Sequence, residues 1–213
     1  MESKAFNIVL EKNPIISIRV IPGHFTTTNI HVNHYLDVSA LKSNAIVARD
    51  VARELGVPYL SSTLVDTIVC MENTKVIGAY LAEELLGEGT AVMNSGGDIH
   101  VVTPMQSDGG KLVFYDNEIE WIENKNILLL TATVSSGVTL RSALECLSGY
   151  NGRIAGISAL FLVTDSVPEH EINPVFTSAD IPGYAMFSVE KCDMCEAGQH
   201  MDALISSEGF IKV

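Results

Sequence analysis

The chain has 213 residues, of which 47% are hydrophobic and 18% charged, the balance of a compact globular protein and a length that suits one domain over 1–213. Its 13 basic and 26 acidic residues give a formal net charge of -13. With no basic stripe, this argues against nucleic acid or an anionic membrane as partner, but not against a small phosphorylated ligand. No apolar run reaches the roughly 18 to 20 residues of a membrane span, and the start Met1-Glu-Ser-Lys-Ala-Phe6 lacks the pattern of a signal peptide. The expectation is a cytoplasmic protein with no membrane partner.

In chain order, 43–55 carries a helical stripe of Ala45, Val47, Ala48, Val51, Ala52 and Leu55, closed by Gly56 and Pro58. Thr67-Ile-Val-Cys-Met71 is short, apolar and β-branched, as a buried strand should be. A polar turn at 73–75 leads into a helix over 77–86, stopped at Gly87. A further strand is expected over 89–93. The runs 99–103 and 111–115, on either side of Gln106-Ser-Asp-Gly-Gly110, predict a β-hairpin. Asn126-Ile-Leu-Leu-Leu130 predicts a strand, 139–147 a helix and 154–163 one more buried strand. Strands apolar throughout and alternating with helices predict an α/β fold with a mainly parallel sheet flanked by helices. Ligands bind beyond the carboxyl ends of such strands, which directs attention to the turns at 72–75 and 131–138.

The second of these turns lies within Ile127-Leu-Leu-Leu-Thr-Ala-Thr-Val-Ser-Ser-Gly-Val-Thr139. A buried strand ends, small hydroxyl residues and a glycine turn the chain, and a helix begins. Backbone N–H groups at that helix start, with the hydroxyls of Ser135, Ser136 and Thr139, form an anion cradle. The same residues also suit an ordinary β–α turn in which Ser and Thr cap the helix.

This window resembles the phosphoribosyl-pyrophosphate (PRPP) motif of type I phosphoribosyltransferases: an apolar strand, two acidic residues, a hydrophobic pair, then a Thr/Gly-rich turn. Ser135, Ser136, Gly137 and Thr139 match its phosphate-binding half, so the resemblance places the phosphate at Thr133, Val134, Ser135, Ser136, Gly137, Val138 and Thr139. Among these enzymes the chain is most similar to orotate phosphoribosyltransferases. Gly23, Phe25 and Tyr35 agree with their N-terminal segment, while Thr28 stands where their base-contacting lysine falls. Residues 1–40 are then a hood segment whose Phe25, Thr28 and Tyr35 form the base pocket. Met71-Glu-Asn-Thr-Lys75 lies at the family's pyrophosphate loop, giving Glu72, Asn73, Thr74 and Lys75 that role. The resemblance spans roughly residues 15 to 165. It implies transfer of phosphoribose from PRPP to a nitrogenous base, of the orotate type or a purine, with Mg2+ as cofactor, and a homodimer.

Two departures bear on catalysis. Thr131 and Ala132 occupy the positions of the acidic pair that holds the ribose hydroxyls in the family, removing charge-assisted hydrogen bonds of about 1.5 to 3 kcal/mol each. The family's mobile loop is rich in cations, whereas 99–115 offers only His100 and Lys111, and lost loop cations cost a factor of ~10² or more. Two function classes therefore stand side by side: a phosphoribosyltransferase, and a catalytically degenerate regulatory protein that binds PRPP or a nucleotide.

The remaining features are C-terminal or scattered. Cys192-Asp-Met-Cys195 suits one edge of a tetrahedral Zn2+ site with His200 as a third ligand, and equally two thiols in a turn. His24, His31, His34, His100 and His170 show no metal-ligand spacing and read as surface or capping groups. His31 and His34 lie in the segment that would line the base pocket. Cys70 and Cys146 read as small core hydrophobes. Glu83-Glu84 and the acidic cluster at 118–123 read as solvated faces.

Overall fold

The computed structural model describes residues 2–87, 92–164, 167–206 and 209–213. Thirteen strands and five α-helices form two main sheets and a two-stranded hairpin among these residues. The strand expected over 89–93 falls largely outside the described residues.

The first strands build an antiparallel hood. β1 (Phe6–Leu10) and β3 (Ile30–Asp37) flank the long β2 (Asn13–Thr26). The β2–β3 register slips between Pro22 and Phe25, around Gly23, where a Cβ would come within 2.8 Å of the Phe25 ring and the Asp202 carboxylate. Two short helices follow, α1 (Ser39–Ser43) and α2 (Ala45–Gly56). Asn44 caps α2 with its side chain, accepting from the N–H groups of Ile46 and Val47.

The parallel sheet comes next: β4 (Thr67–Cys70), α3 (Lys75–Leu85), β5 (His100–Val102), the hairpin β6 (Met105–Gln106) and β7 (Leu112–Val113), β8 (Asn126–Val134), α4 (Val138–Gly149), β9 (Arg153–Leu162) and β10 (Asn173–Thr177). Its order is β10-β9-β8-β4-β5, and every pairing is parallel. Successive side chains of the central strands serve two separate cores, as the two-residue period of a strand requires. Ile68, Cys70, Leu128, Leu130 and Ala132 pack with α2 and α3. Val69, Met71, Ile127, Leu129 and Val134 pack with α4. Apolar residues are thus needed at successive positions of 68–71 and 127–130, which is why both stretches read as unbroken apolar runs.

From β4 the chain moves outward to β5, then returns to lay β8, β9 and β10 on the other side. The order reverses between β4 and β8, so the crevice at their carboxyl ends is the sheet's switch point, where ligands bind in such folds.

The C-terminal strands β11 (Met186–Ser188), β12 (Ala203–Ser206) and β13 (Gly209–Lys212) join the hood, with the four-residue helix α5 (Asp193–Glu196) between β11 and β12. The hood sheet runs β11-β3-β2-β12-β13, with β1 also on β2. It is antiparallel except for the β12–β2 pairing.

Two sequence expectations change. The run 99–103 does not pair with 111–115: His100–Val102 pairs with β4 as the parallel sheet's edge, and the hairpin is the smaller pair Met105–Gln106 with Leu112–Val113. The turn expected to start at 131 starts later, because β8 continues to Val134. Thr131 and Ala132 are strand residues, 2% and 3% exposed. With no carboxylate to solvate at either position, nothing stops the strand from continuing.

Candidate functional site

A cavity of about 360 Å³ opens at the switch point between the parallel sheet and the hood, within the ~300 to 1,000 Å³ range of small-ligand pockets. Its floor is the stretch Ala132 to Leu140. Thr133, Val134, Ser135, Ser136, Gly137, Val138 and Thr139, assigned to the phosphate by resemblance, all line it.

The turn is built for close approach. Gly137 has φ +74, a left-handed conformation, and a Cβ there would sit 2.7 Å from Val167 Cγ2 and 2.8 Å from the Arg141 guanidinium. Glycine is the residue that meets both constraints without strain. Gly137 is also the N-cap of α4, and no side chain caps that helix end. The first-turn N–H groups therefore have no capping acceptor, and the helix dipole favours an anion there. Arg141 lies beside the turn, donating to the Ser136 carbonyl and pairing with Glu169 at 3.4 Å.

Opposite the floor, the hood supplies Thr27, Thr28 and Asn29 from the β2–β3 loop, with Ile30, His34 and Tyr35 from β3. Thr28 and Tyr35 of the expected base pocket face this cavity. Phe25 is not among the lining residues; it is fully buried beneath, against Tyr35. Phe161 and Tyr184 complete an aromatic wall. The His34 ring stacks on Tyr184 with centroids 6.2 Å apart. Burial lowers the His34 pKa, favouring a neutral ring.

The loop between β4 and α3 divides into different roles. Glu72 lines the cavity. Its Oε2 accepts three hydrogen bonds, from Thr131 Oγ1 at 2.9 Å, Ala132 N at 3.1 Å and Thr133 N at 2.9 Å. Glu72 and Asn73 both have positive φ, 51 and 63, a conformation uncommon outside glycine and held here by the surrounding bonds. Thr74 is fully buried and donates to the carbonyls of Met71 and Leu130, so its hydroxyl ties β4 to β8. Asn73 and Lys75 are exposed and are not among the lining residues. The cation on the cavity wall is Lys42 of α1, whose Nζ donates to the Glu72 carbonyl at 3.1 Å.

Sequence reasoning missed Lys42, Phe161 and Tyr184. Lys42 carries no local signal, since it lies on a helix 30 residues from the carbonyl it meets. Phe161 sits in an apolar strand and reads as core. None of the residues 99–115 lines the cavity. His100 instead stacks on Trp121 with ring centroids 4.6 Å apart.

Cys192 and Cys195 come together with His24 and His31, all four donor atoms within 4.8 Å of one another. His200 is exposed and lies outside that group. His24 and His31 are buried, 1% and 5% exposed, not the surface or capping groups their spacing suggested.

No family model matches the chain, and no curated protein matches it in sequence. Solved structures do match its fold. The chain is similar to the Leishmania donovani UMP synthase, at 18% identity and a TM-score of 0.54, over 75% of this chain and 34% of that one. It therefore spans about a third of that longer protein. It is similar to Mycobacterium tuberculosis orotate phosphoribosyltransferase, solved with Fe(III) dicitrate, at 11% identity and a TM-score of 0.53, over 76% of this chain and 91% of that one. It is similar to Thermoanaerobacter pseudethanolicus adenine phosphoribosyltransferase at 14% identity and a TM-score of 0.50, over 83% and 96% of the two chains. The parallel sheet, its flanking helices and the hood thus make up a type I phosphoribosyltransferase fold.

Proposed function

We propose that the protein binds PRPP or a nucleotide in the switch-point cavity and transfers phosphoribose to a nitrogenous base of the orotate type or a purine. The observation that carries this reading is the shape of one cavity: an uncapped helix start with a left-handed glycine forms one wall and His34, Tyr35 and Tyr184 the other. The 5′-phosphate binds the N–H groups of 135–139, and the base lies against the aromatic hood wall. Lys42 offers positive charge between them.

Mg2+ takes oxygen ligands and commonly binds through one or two carboxylates together with substrate phosphates. The cavity's carboxylate is Glu72, so the donor set fits a magnesium ion carried largely by a diphosphate, with Glu72 as its protein ligand. Bound there, Mg2+ would neutralise charge on a departing pyrophosphate. The chain's own residues orient the ligand: the turn holds the phosphate, Glu72 is fixed by its three donors, and the hood shields the anomeric carbon from water. A cytoplasmic homodimer belongs to the same reading, as does a small-molecule ligand rather than nucleic acid, which the net charge of -13 supports.

A second reading has its own observation. Thr131 and Ala132, at the positions of the family's acidic pair, are buried in β8 and offer no carboxylate. This favours a regulatory protein that binds PRPP or a nucleotide without turning it over. Calorimetry with PRPP and nucleoside monophosphates, with and without Mg2+, tests binding. Pyrophosphate release with orotate, adenine and hypoxanthine then separates the two readings. Failure of every phosphorylated ligand to bind would overturn both.

A further inference from the structure

We propose that His24, His31, Cys192 and Cys195 form a structural zinc site that fastens the C-terminal segment to the hood and shapes one rim of the cavity.

The four donor atoms have the spacing of a tetrahedron around zinc. With Zn–N near 2.0 to 2.1 Å and Zn–S near 2.3 Å, its edges are roughly 3.3 Å between nitrogens, about 3.5 Å between nitrogen and sulfur and about 3.8 Å between sulfurs. The structure has His24 Nε2 to His31 Nδ1 at 3.2 Å, Cys195 Sγ to His31 Nδ1 at 3.3 Å, Cys192 Sγ to His24 Nε2 at 3.6 Å and Cys195 Sγ to His24 Nε2 at 3.7 Å. The other two edges also lie within 4.8 Å. Two thiols and two imidazoles so close, three of the four residues buried, have few other reasons to converge.

The chemistry agrees with the geometry. Two thiolates neutralise a divalent ion, so the metal adds no net charge to a buried place. The other ring nitrogen of His24 lies 3.0 Å from the Gln199 carbonyl. A carbonyl only accepts, so Nδ1 carries the proton and Nε2 presents its lone pair, the tautomer-fixing contact typical of metal-bound histidine. Cys192 opens the short α5 and Cys195 lies in its first turn, the compact Cys-x-x-Cys geometry suited to one edge of the tetrahedron. Four protein ligands close the shell, as in structural rather than catalytic zinc.

The placement says what the ion does. His24 and His31 bracket the segment whose Thr27, Thr28, Asn29 and Ile30 line the cavity. The segment after Cys195 returns to β2: Asp202 accepts from the His24 N–H and donates its own N–H to the His24 carbonyl. It then forms β12, whose Ile205 and Ser206 line the same cavity. One ion thus joins both ends of the hood rim. The proposal stands whether or not the cavity carries out transfer.

The test is elemental analysis of the full-length chain, prepared without a metal-chelating tag. We expect one zinc per chain, and with cobalt in its place the strong visible absorption of a tetrahedral thiolate site. Cys195→Ser changes an exposed residue and should fold, yet weaken zinc binding at least tenfold, whereas His200→Ala should retain the metal. Zinc removal by a chelator should raise amide exchange at 27–30 and 203–206 while leaving β4 and β8 protected. The site is overturned by a zinc-reconstituted chain that holds no metal, by one equivalent of iron instead, by a Cys192–Cys195 disulfide that persists when zinc is supplied, or by unchanged affinity in Cys195→Ser. Unchanged exchange at both segments would overturn the fastening role.

Discussion

The carboxylate of Glu72 lies 2.9 Å from the hydroxyl of Thr131 across the carboxyl ends of β4 and β8. One oxygen also holds the N–H groups of Ala132 and Thr133, so a single acidic side chain serves the strand end that carries two in the related motif. Replacing Glu72 with alanine leaves those donors to water in a partly open cavity. The expected cost is about 1 to 2 kcal/mol, a fall of roughly 3 to 6 °C in Tm for a chain of this length. Glu72→Gln keeps an oxygen acceptor and should lose less than half as much. Thermal unfolding followed by circular dichroism measures both, and equal losses would show that the acceptor is not what matters.

Gly137 carries the turn proposed to hold the phosphate. Gly137→Val meets a left-handed backbone and contacts of 2.7 and 2.8 Å with Val167 and Arg141. The backbone alone costs about 1 to 2 kcal/mol. Displacement of the α4 start should lower affinity for ribose 5-phosphate at least tenfold. Calorimetry showing unchanged affinity in a folded variant would place the phosphate elsewhere.

Lysine roles separate in the same assay. Lys75 matches the pyrophosphate loop by position but is exposed and away from the cavity wall, whereas Lys42 lines it. Lys42→Ala should weaken PRPP binding about tenfold, equivalent to about 1.4 kcal/mol, and Lys75→Ala by less than threefold. The reverse order would return the diphosphate to the loop lysine.

How far the sequence carried these conclusions depended on the range of each interaction. The β4, β8 and β9 strands and the α2, α3 and α4 helices were legible because each is buried by its own local pattern; β8, for instance, needs apolar side chains on both faces. The hood's N-terminal part was named only through the family resemblance, and its strands were not read from the sequence. Strands β11, β12 and β13 have three or four residues each, too short for a period to register; β11 and β12 are held by β3 and β2 near the other end of the chain, and β13 by β12. The Thr133–Thr139 floor was legible as a local strand–turn–helix. The cysteine pair pointed to its nearest histidine in sequence, His200, but the histidines that meet it lie 164 to 171 residues away. Glu72 likewise meets partners 59 to 61 residues distant, and spacing rules do not reach that far.

Restoring the acidic pair should damage the protein as it stands. The family resemblance alone implies that Asp at 131 and 132 would tighten PRPP binding in the presence of magnesium. In the structure both positions are buried, and Glu72 already occupies their surroundings. Thr131→Asp would remove a donor to Glu72 and set a second carboxylate against it, and like charges so close cannot both ionise freely. The new pair's folded-state pKa rises above its unfolded value. Below the unfolded value, about 4, both states are protonated and no charge penalty arises. As pH rises from there through the raised pKa, the folded state binds more protons than the unfolded, so stability falls and then levels off. Thr131→Asp should therefore lose stability relative to the parent between pH 4 and 7, by about 1.4 kcal/mol for each unit of raised pKa. Adding Glu72→Gln removes the facing charge and should recover most of that loss, a coupling readable from a double-mutant cycle. Urea unfolding at pH 4, 5.5 and 7 measures it. If Thr131→Asp is as stable as the parent at pH 7 and Glu72→Gln adds nothing, the two side chains do not face one another and Glu72 is not the stand-in for the missing pair.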